Sequence, residues 1–255
     1  MARISIVTTY FQRQYQLNKT LLSIAKSNHK DFEVIIVDDC SPDDIVLPEV
    51  PFKITVIKMQ NKTWTNPEPA YNTGIIEALK SNPDIVILQN AENYHVGDIL
   101  SYAEKVNSDN YLSFGCYSLD EETTFRDHNI SEVIKANNIG AVTDGKNAWY
   151  NHSVFRPVAY DFCNAITAEN LRKLNGYDER FSLGSDRGDV YLLERVKMLG
   201  LNIQFVDSPF VVHQWHYSHP DRSDHEALCK RNADLFIELM KENKYRAKHL
   251  FTPDL

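Results

Sequence analysis

The chain has 255 residues and a mass of 29.4 kDa, enough to enclose one large hydrophobic core, so we expect a single domain. Its 43% hydrophobic and 24% charged residues are typical of a folded soluble protein. The formal net charge of -8 argues against broad electrostatic attraction to nucleic acid or to an anionic membrane. We therefore expect no nucleic-acid partner.

The first residues, MARISIVTTYF, lead straight into a β-branched run and lack the basic flank, apolar stretch and cleavage site of an export signal. No apolar stretch approaches the roughly 20 residues that span a bilayer, so we expect no membrane span. The chain has four widely spaced cysteines without a CxxC pair: Cys40, Cys116, Cys163 and Cys229. This spacing favours reduced thiols and a cytoplasmic location.

The first 90 residues alternate between strand and helix patterns. Apolar, β-branched runs predict strands at 4–9, 32–39, 53–58 and 84–89, and apolar residues at helical spacing predict helices at 14–27 and 70–81. The run FEVIIVDD is apolar on both faces, which is typical of a strand inside a parallel sheet covered by helices on each side. We therefore predict an α/β fold with a mainly parallel central sheet flanked by helices.

Three of these strands end in polar residues. The first ends in Thr8-Thr9-Tyr10, the second in Asp38-Asp39 and the fourth in the stretch QNAE at 89–92. Ligands of open parallel sheets bind beyond the carboxyl ends of the strands. The three ends are therefore expected to line one crevice.

The second half of the chain is less regular. Strand patterns occur at 110–118 and 203–216, and helical patterns at 184–200 and 224–244, the last interrupted by Asn232. Residues 120–160 show no clear period and contain several aromatic residues. An irregular segment of this length in a compact domain is usually functional or disordered, and the aromatics favour function.

Five motifs in chain order resemble those of family 2 GT-A glycosyltransferases. SIVTTYFQRQYQLNKTLLSI followed by DFEVIIVDDCSPDD is similar to the family's opening, which ends in V-D-D-x-S-x-D. NPEPAYNTGIIEAL is similar to the A-R-N-x-G-I helix start, and ILQNAE stands at the D-x-D position. ITAENLRKLNGYDERF resembles R-x-x-L-x-x-x-G-x-D-E-x-F, and DRGDVYLLERVKMLG resembles E-D-x-D-L-x-x-R-x-x-x-x-G.

The resemblance implies one GT-A domain over 1–255, with a nucleotide-binding half at 1–100, an acceptor-binding and catalytic half at 101–222, and a C-terminal helix and tail at 223–255. It implies an enzyme that moves a sugar from a nucleotide-diphosphate sugar, usually a UDP-sugar, to a hydroxyl of a glycan or other acceptor, with inversion. Such chemistry needs residues that bind the nucleobase, a positive charge that stabilises the diphosphate leaving group, and a general base that takes the proton of the acceptor hydroxyl.

The resemblance implies that Asp39 accepts a hydrogen bond from the base of the donor nucleotide. It places Thr8, Thr9 and Tyr10 in the adjoining turn. The alternative is that Asp38 and Asp39 only cap the next turn. We favour the binding site because uncompensated carboxylates at the end of a buried strand are costly.

Asn90 and Glu92 align with the first and second aspartates of the D-x-D motif. In the family these aspartates hold a divalent cation against the diphosphate. Glu92 still offers a carboxylate to Mn2+ or Mg2+, whereas Asn90 offers a neutral carbonyl or a contact to the ribose. We expect metal binding in weakened form or not at all; the alternative is a polar turn without a ligand. Tyr71, which we assign to the donor-nucleotide site, stands where many relatives have an arginine near the phosphates, and this departure removes a cation.

His213 ends an apolar strand, and resemblance to the galactosyltransferase-like branch of GT-A enzymes implies that it is a further metal ligand. The alternatives are a structural histidine and a separate metal cluster of His213, His216 and His219 on one helical face. Pro220 and the preceding apolar run argue against such a helix. We assign His213 alone.

Asp189 stands on the aspartate of the E-D motif, which implies that it is the general base, and Gly188 replaces the usual glutamate. A carboxylate at a helix start serves as base when it reaches the acceptor hydroxyl. Asp186 is the rival base, and both acids have helix capping as an alternative role. We favour Asp189 because Arg195 also matches the trailing arginine of the motif.

Aromatic residues of the irregular segment are candidates for the acceptor site, and we assign Trp149 and His152. The alternative is that they pack the segment itself, and Trp64 is a candidate cover for the nucleotide. Two other classes of protein remain as alternatives. The altered residues at 71, 90 and 188 suit a non-catalytic nucleotide- or carbohydrate-binding module, whereas a nucleotidyltransferase would show a glycine-rich phosphate loop that TTYFQRQYQ lacks.

Overall fold

The computed structural model describes residues 1–140, 146–217 and 223–255. Its strands are β1 (Ile4–Tyr10), β2 (Phe32–Asp38), β3 (Lys53–Lys58), β4 (Ile85–Asn90), β5 (Asn93–Val96), β6 (Asn110–Ser118), β7 (Ala148–Asn151), β8 (Cys163–Thr167) and β9 (Asn202–His213). Its helices are α1 (Gln14–Ile24), α2 (Glu68–Leu79), α3 (Ile99–Ala103), α4 (Glu121–Phe125), α5 (Ile130–Ala136), α6 (Ala168–Leu174), α7 (Gly188–Met198) and α8 (His225–Glu242), and a 3-10 helix (Glu179–Leu183) lies between α6 and α7.

These strands form one sheet in the order β3-β2-β1-β4-β8-β6-β9-β5, with β7 paired to β6. The pairs among β3, β2, β1 and β4 are parallel, as is the pair of β6 with β9. Strand β8 runs antiparallel between β4 and β6, and β5 and β7 are also antiparallel to their neighbours. The predicted α/β fold with a sheet flanked by helices is confirmed, and the sheet is mixed because short antiparallel strands follow β4.

Alternating side chains of the central strands bury against helices on opposite faces of the sheet. Ile6 of β1 packs in the cluster that contains Leu17 and Leu21 of α1, whereas the next residue, Val7, packs in the cluster of α2 and α7. Each such buried aliphatic side chain stabilises the fold by roughly 1.5–3 kcal/mol. Gly74 lets α2 approach the sheet closely, because a Cβ there would clash with the side chain of Val7.

The predicted strands at 53–58 and 110–118 have the bounds of β3 and β6, and the other predicted strands and helices occur with shifted ends. The irregular segment 120–160 contains α4, α5 and β7, which its sequence pattern does not indicate. Asn232, which interrupts the apolar stripe of α8, is fully buried. Its Nδ2 donates to the carbonyl oxygens of Phe181 and Asp186 at 2.9 and 2.8 Å, so it ties α8 to the loop before α7.

Among the residues that the structure describes, no helix is both long and apolar enough to cross a membrane.

Candidate active site at the carboxyl edge of the sheet

Asp39 follows β2 and is almost fully buried. Its Oδ1 accepts a hydrogen bond from Trp64 Nε1 at 2.8 Å, and its Oδ2 pairs with the ammonium of Lys62. Burial raises the pKa of Asp39, against the opposing effect of Lys62. The backbone N–H of Ser41 donates to Asp38 instead, at 2.8 Å, so Asp38 caps the turn and the carboxylate of Asp39 faces side-chain donors.

The end of β1 lies between β2 and β4. Thr9 is in register with Asn90, and the backbone N–H of Asp39 donates to the carbonyl oxygen of Tyr10 at 2.9 Å. The Thr8 hydroxyl is buried and has no hydrogen-bond partner within the described residues. The three predicted residues at 8–10 therefore lie beside Asp39 and Asn90, as the parallel sheet requires.

Tyr71 connects this edge to the helix layer. It is buried in α2, and its hydroxyl donates to Asn90 Oδ1 at 2.6 Å. Its ring stacks on Tyr177 with centroids 4.6 Å apart. Burial and the nearby charge of Asp161 hold the pKa of Tyr71 well above its usual range, so the tyrosine stays a neutral donor.

Glu92, His213 and His216 form a cluster of potential metal ligands whose ligand atoms all lie within 4.8 Å of one another. Glu92 Oε1 is 3.4 Å from His213 Nε2 and 3.7 Å from His216 Nε2. The register of β5 with β9 creates the cluster, because Asn93 lies opposite His213. His219, the third histidine of the predicted alternative cluster, lies outside the described residues.

Arg13 Nη1 lies 2.7 Å from the same oxygen of Glu92. Burial alone would raise the pKa of Glu92, but Arg13 and the two histidines hold it well below its usual range. Burial lowers the pKa of His216 to about 4, so its imidazole is neutral at pH 7 with a lone pair available.

The cluster fits a divalent cation. Glu92 Oε2 is buried and has no partner within the described part of the chain, so it remains open to a ligand. The set offers one carboxylate and two imidazoles as potential ligands. Arg13 competes for this position, because a cation would have to share Glu92 with the guanidinium.

A cavity of about 240 Å³ opens between α2 and the start of α7. Its lining residues come from four segments of the chain, one of which contains the predicted base Asp189: Asn66, Pro67, Glu68, Tyr71, Asp161, Tyr177, Asp186, Gly188 and Asp189. Two of its acids, Glu68 and Asp161, are absent from the sequence-based assignments. They come from positions far apart in the chain, and only the fold places them near Asp189.

Asp189 lies in the first turn of α7, and its Oδ1 accepts from the backbone N–H of Val190 at 2.7 Å. Burial raises the pKa of Asp189. Asp186 is exposed, lies 3.7 Å from Arg187 Nε and also lines the cavity. Asp189 is thus the less exposed of the two acids.

Asp161 is held by a neighbouring phenol. Its Oδ2 accepts a hydrogen bond from the Tyr177 hydroxyl at 3.0 Å. Burial and the charge of Asp189 raise the pKa of Asp161 to about 7. Tyr177 also stacks on Tyr71, so one aromatic pair connects the acidic cavity to Asn90.

The two residues assigned to the acceptor lie elsewhere. Trp149 is buried, contacts Tyr117 and Phe210 at ring distances of 5.1 and 5.4 Å, and donates to Asn138 Oδ1 at 2.6 Å. His152 Nδ1 accepts from the backbone N–H of Val154 at 3.0 Å. Neither side chain is part of the lining of the cavity that contains Asp189.

These features define a class of protein: a GT-A type α/β domain with a carboxylate-rich cavity beside a potential cation site at the carboxyl edge of its sheet. Residues 5–163 match the family model described as glycosyl transferase family 2. The chain belongs to this family.

Solved structures of glycosyltransferases share the fold. The mannosyltransferase PcManGT from Pyrobaculum calidifontis, in complex with GDP-Man and Mn2+, is 14% identical with a TM-score of 0.57, over 98% of this chain and 66% of that chain. TarS 1-349 from S. aureus is 12% identical with a TM-score of 0.63, over 98% of this chain and 67% of that chain. At such identities the likeness shows the fold alone. The chain spans about two thirds of each structure, and no curated protein matches its sequence.

Proposed function

We propose that the protein transfers a sugar from a nucleoside diphosphate sugar, most simply a UDP-sugar, to an acceptor hydroxyl with inversion, and that Asp189 is the general base. The main observation in support is that Asp189 and Tyr71 line the same cavity. The Tyr71 hydroxyl donates to Asn90 at the end of β4, two residues before Glu92. Similar folds have been solved with UDP-GlcNAc and with GDP-Man and Mn2+, which supports a nucleotide sugar as donor. The proposal assigns 1–100 to the donor and 101–222 to the acceptor and catalysis, in the cytoplasm.

The donor would lie across the strand ends. Asp39 accepts an N–H of the nucleotide base in place of Trp64 or Lys62. Glu92, His213 and His216 would hold a divalent cation, which supplies positive charge to the diphosphate leaving group. Arg13 adds a fixed positive charge beside them.

The acceptor hydroxyl would enter the cavity. Its oxygen attacks the anomeric carbon, the bond from that carbon to the phosphate oxygen breaks, the nucleoside diphosphate leaves, and Asp189 takes the hydroxyl proton. The raised pKa of Asp189 brings its basicity closer to neutral pH. Asp161, fixed by the hydroxyl of Tyr177, lines the same cavity.

Thermal shift with UDP and GDP, each with and without MnCl2, tests the donor site. A nucleotide at 100 times its Kd stabilises the folded state by about 2.7 kcal/mol, which corresponds to a melting temperature increase of about 5–10 °C in a chain of this size. No shift with either nucleotide would refute the proposal.

Asp189→Asn tests the base, with Asp186→Asn, three residues earlier in the chain, as the matched control. We expect Asp189→Asn to lower transfer about 100-fold or more while nucleotide binding persists, and Asp186→Asn to have little effect. The reverse pattern would make Asp186 the base. Nucleotide binding without transfer or donor hydrolysis in the wild type would instead favour the non-catalytic module, which the altered residues at 71, 90 and 188 also suit.

A further inference from the structure

Glu68 and Gly188 compete for one volume. Glu68 lies in the first turn of α2 and is buried, and its Oε1 lies so close to Gly188 that a Cβ at position 188 would clash with it. A side chain at 188 and the carboxyl group of Glu68 therefore exclude each other. Glu68, from another helix, thus places a carboxyl group beside position 188, where the sequence lacks one.

The carboxyl group of Glu68 has an unused hydrogen-bonding atom. Its Oε1 is 3.5 Å from Asn66 Nδ2, whereas its Oε2 is buried and has no partner in the described part of the chain. Glu68 lines the same cavity as Asp189. An unpaired buried carboxyl oxygen is costly, so a ligand group that pairs with it gains affinity.

The size of the cavity limits the ligand. At about 240 Å³ it is smaller than the roughly 300–1,000 Å³ of pockets for drug-sized molecules. It suits one sugar ring instead of a whole nucleotide sugar. Its polar groups are mostly acids and tyrosines, which suit hydroxyl groups and oppose a phosphate.

The neighbouring charges keep a proton on Glu68. Burial, together with the charges of Asp161 and Asp189, raises the pKa of Glu68 to about 8. At pH 7 its carboxyl group is mostly neutral and donates a hydrogen bond through its O–H. Other charged or titratable groups of the cavity wall are the exposed Asp186, which pairs with Arg187, and the tyrosines Tyr71 and Tyr177.

We propose that Glu68 is an acceptor-binding residue: its O–H donates to one hydroxyl oxygen of the acceptor sugar while Asp189 accepts the proton of the attacking hydroxyl. This assignment rests on the proposed function and specifies its acceptor as a hydroxyl-rich ring. The assignment gives two carboxyl groups different roles: the protonated Glu68 binds the acceptor, and the ionised Asp189 acts as general base.

Four variants of the full chain test the assignment: Glu68→Gln, Glu68→Ala, Gly188→Ala, and the double variant of Glu68→Ala with Gly188→Ala. Methyl glucoside and methyl galactoside serve as acceptor probes, with the donor that gives the largest thermal shift. Acceptor KM, kcat and donor hydrolysis without acceptor are measured from pH 6 to 9. Ligand-observed NMR, with UDP and MnCl2 present, follows binding of the two probes directly.

Glu68→Gln keeps a donor, so we expect an acceptor KM within about threefold of the wild type. The rise in acceptor KM as pH increases through about 8, present in the wild type, should disappear. Glu68→Ala should raise acceptor KM about 10-fold or more, because a hydrogen bond to the substrate is lost. Gly188→Ala should raise the acceptor KM as Glu68→Ala does, because the new methyl group displaces the carboxyl group of Glu68. In the double variant it should raise the KM no further than Glu68→Ala alone.

Glu77→Gln is the matched control, because Glu77 lies on the same helix and pairs with Lys80 at the surface. An unchanged acceptor KM in Glu68→Ala would overturn the assignment. So would an equal loss of donor hydrolysis and nucleotide binding, which indicates a structural role. Failure of both probes to bind the wild type would overturn the acceptor site, whereas absence of any nucleotide binding would remove the proposed function itself.

Discussion

Replacement of Arg195 by methionine should destabilise the wall of the cavity. Arg195 is fully buried in α7 and donates to the carbonyl oxygens of Leu174 and Gly176, each at 2.9 Å. Two hydrogen bonds from a charged donor contribute roughly 3–6 kcal/mol, and removal of a buried cation recovers part of its desolvation cost. We expect Arg195→Met to lower the free energy of unfolding by about 2–4 kcal/mol, or the melting temperature by about 5–15 °C.

Thermal and urea unfolding measure this effect, with Lys197→Met as control. Lys197 lies on the same helix, is exposed and pairs with Glu194 at 2.6 Å, so its loss should cost less than about 0.5 kcal/mol. The bonds of Arg195 hold the segment before Tyr177, which binds Asp161, so Arg195→Met should also reduce kcat. Equal melting temperatures of the two variants would refute the reasoning that this buried arginine anchors α7.

Two further predictions concern the charges around the strand ends. Arg13→Met should raise the affinity for Mn2+ about tenfold without nucleotide, measured by calorimetry, because the guanidinium and the cation share the carboxylate of Glu92 and repel each other. Burial lowers the pKa of His95 to about 3, so the folded state resists its protonation and stability is lost as pH falls from about 6.5 toward 3. His95→Asn should reduce the slope of unfolding free energy in that window by up to about 1.4 kcal/mol per pH unit.

The controls for these predictions come from the same segments. Glu92→Gln should abolish the Mn2+ effect in both the wild type and Arg13→Met, and an unchanged or lower Mn2+ affinity in Arg13→Met would contradict competition. For His95→Asn, the raised pKa values of Glu68 and Asp161 act in the opposite direction but are common to both proteins. A slope equal to that of the wild type would show that His95 does not resist protonation.

The first half of the fold was predictable because its signals are local. The run FEVIIVDD is apolar on both faces, and β2 lies between two parallel neighbours as that pattern requires. Strand β8 is five residues long, and the antiparallel pairs with β4 and β6 decide its place in the sheet. No property of CNAIT alone indicates those partners, so the sequence predicts the parallel part of the sheet and misses the antiparallel insertion.

The same distinction applies to the candidate site. The sequence pattern indicates Asp39, Asn90 and Glu92 because each follows a strand whose end must reach the common edge. Asp161 and Glu68 carry no such signal, since one precedes a short strand and the other begins a helix. The glycine at 188, where the family pattern has a glutamate, is an indirect signal: it suggests that another residue supplies a carboxyl group near this position.

Each of the three departures from the family pattern, at positions 71, 90 and 188, has a nearby residue that offsets the change. At positions 71 and 90, a cation and an anion are both absent, and the Tyr71 hydroxyl and Asn90 carbonyl form a neutral hydrogen bond at 2.6 Å. The positive charge absent at 71 has a counterpart in Arg13, which contacts Glu92. Glu68 places a carboxyl group beside position 188, where the family pattern has a glutamate. A binding module under no catalytic constraint would not need such replacements to converge on Asp189 and Glu92, so their convergence favours a catalytic role.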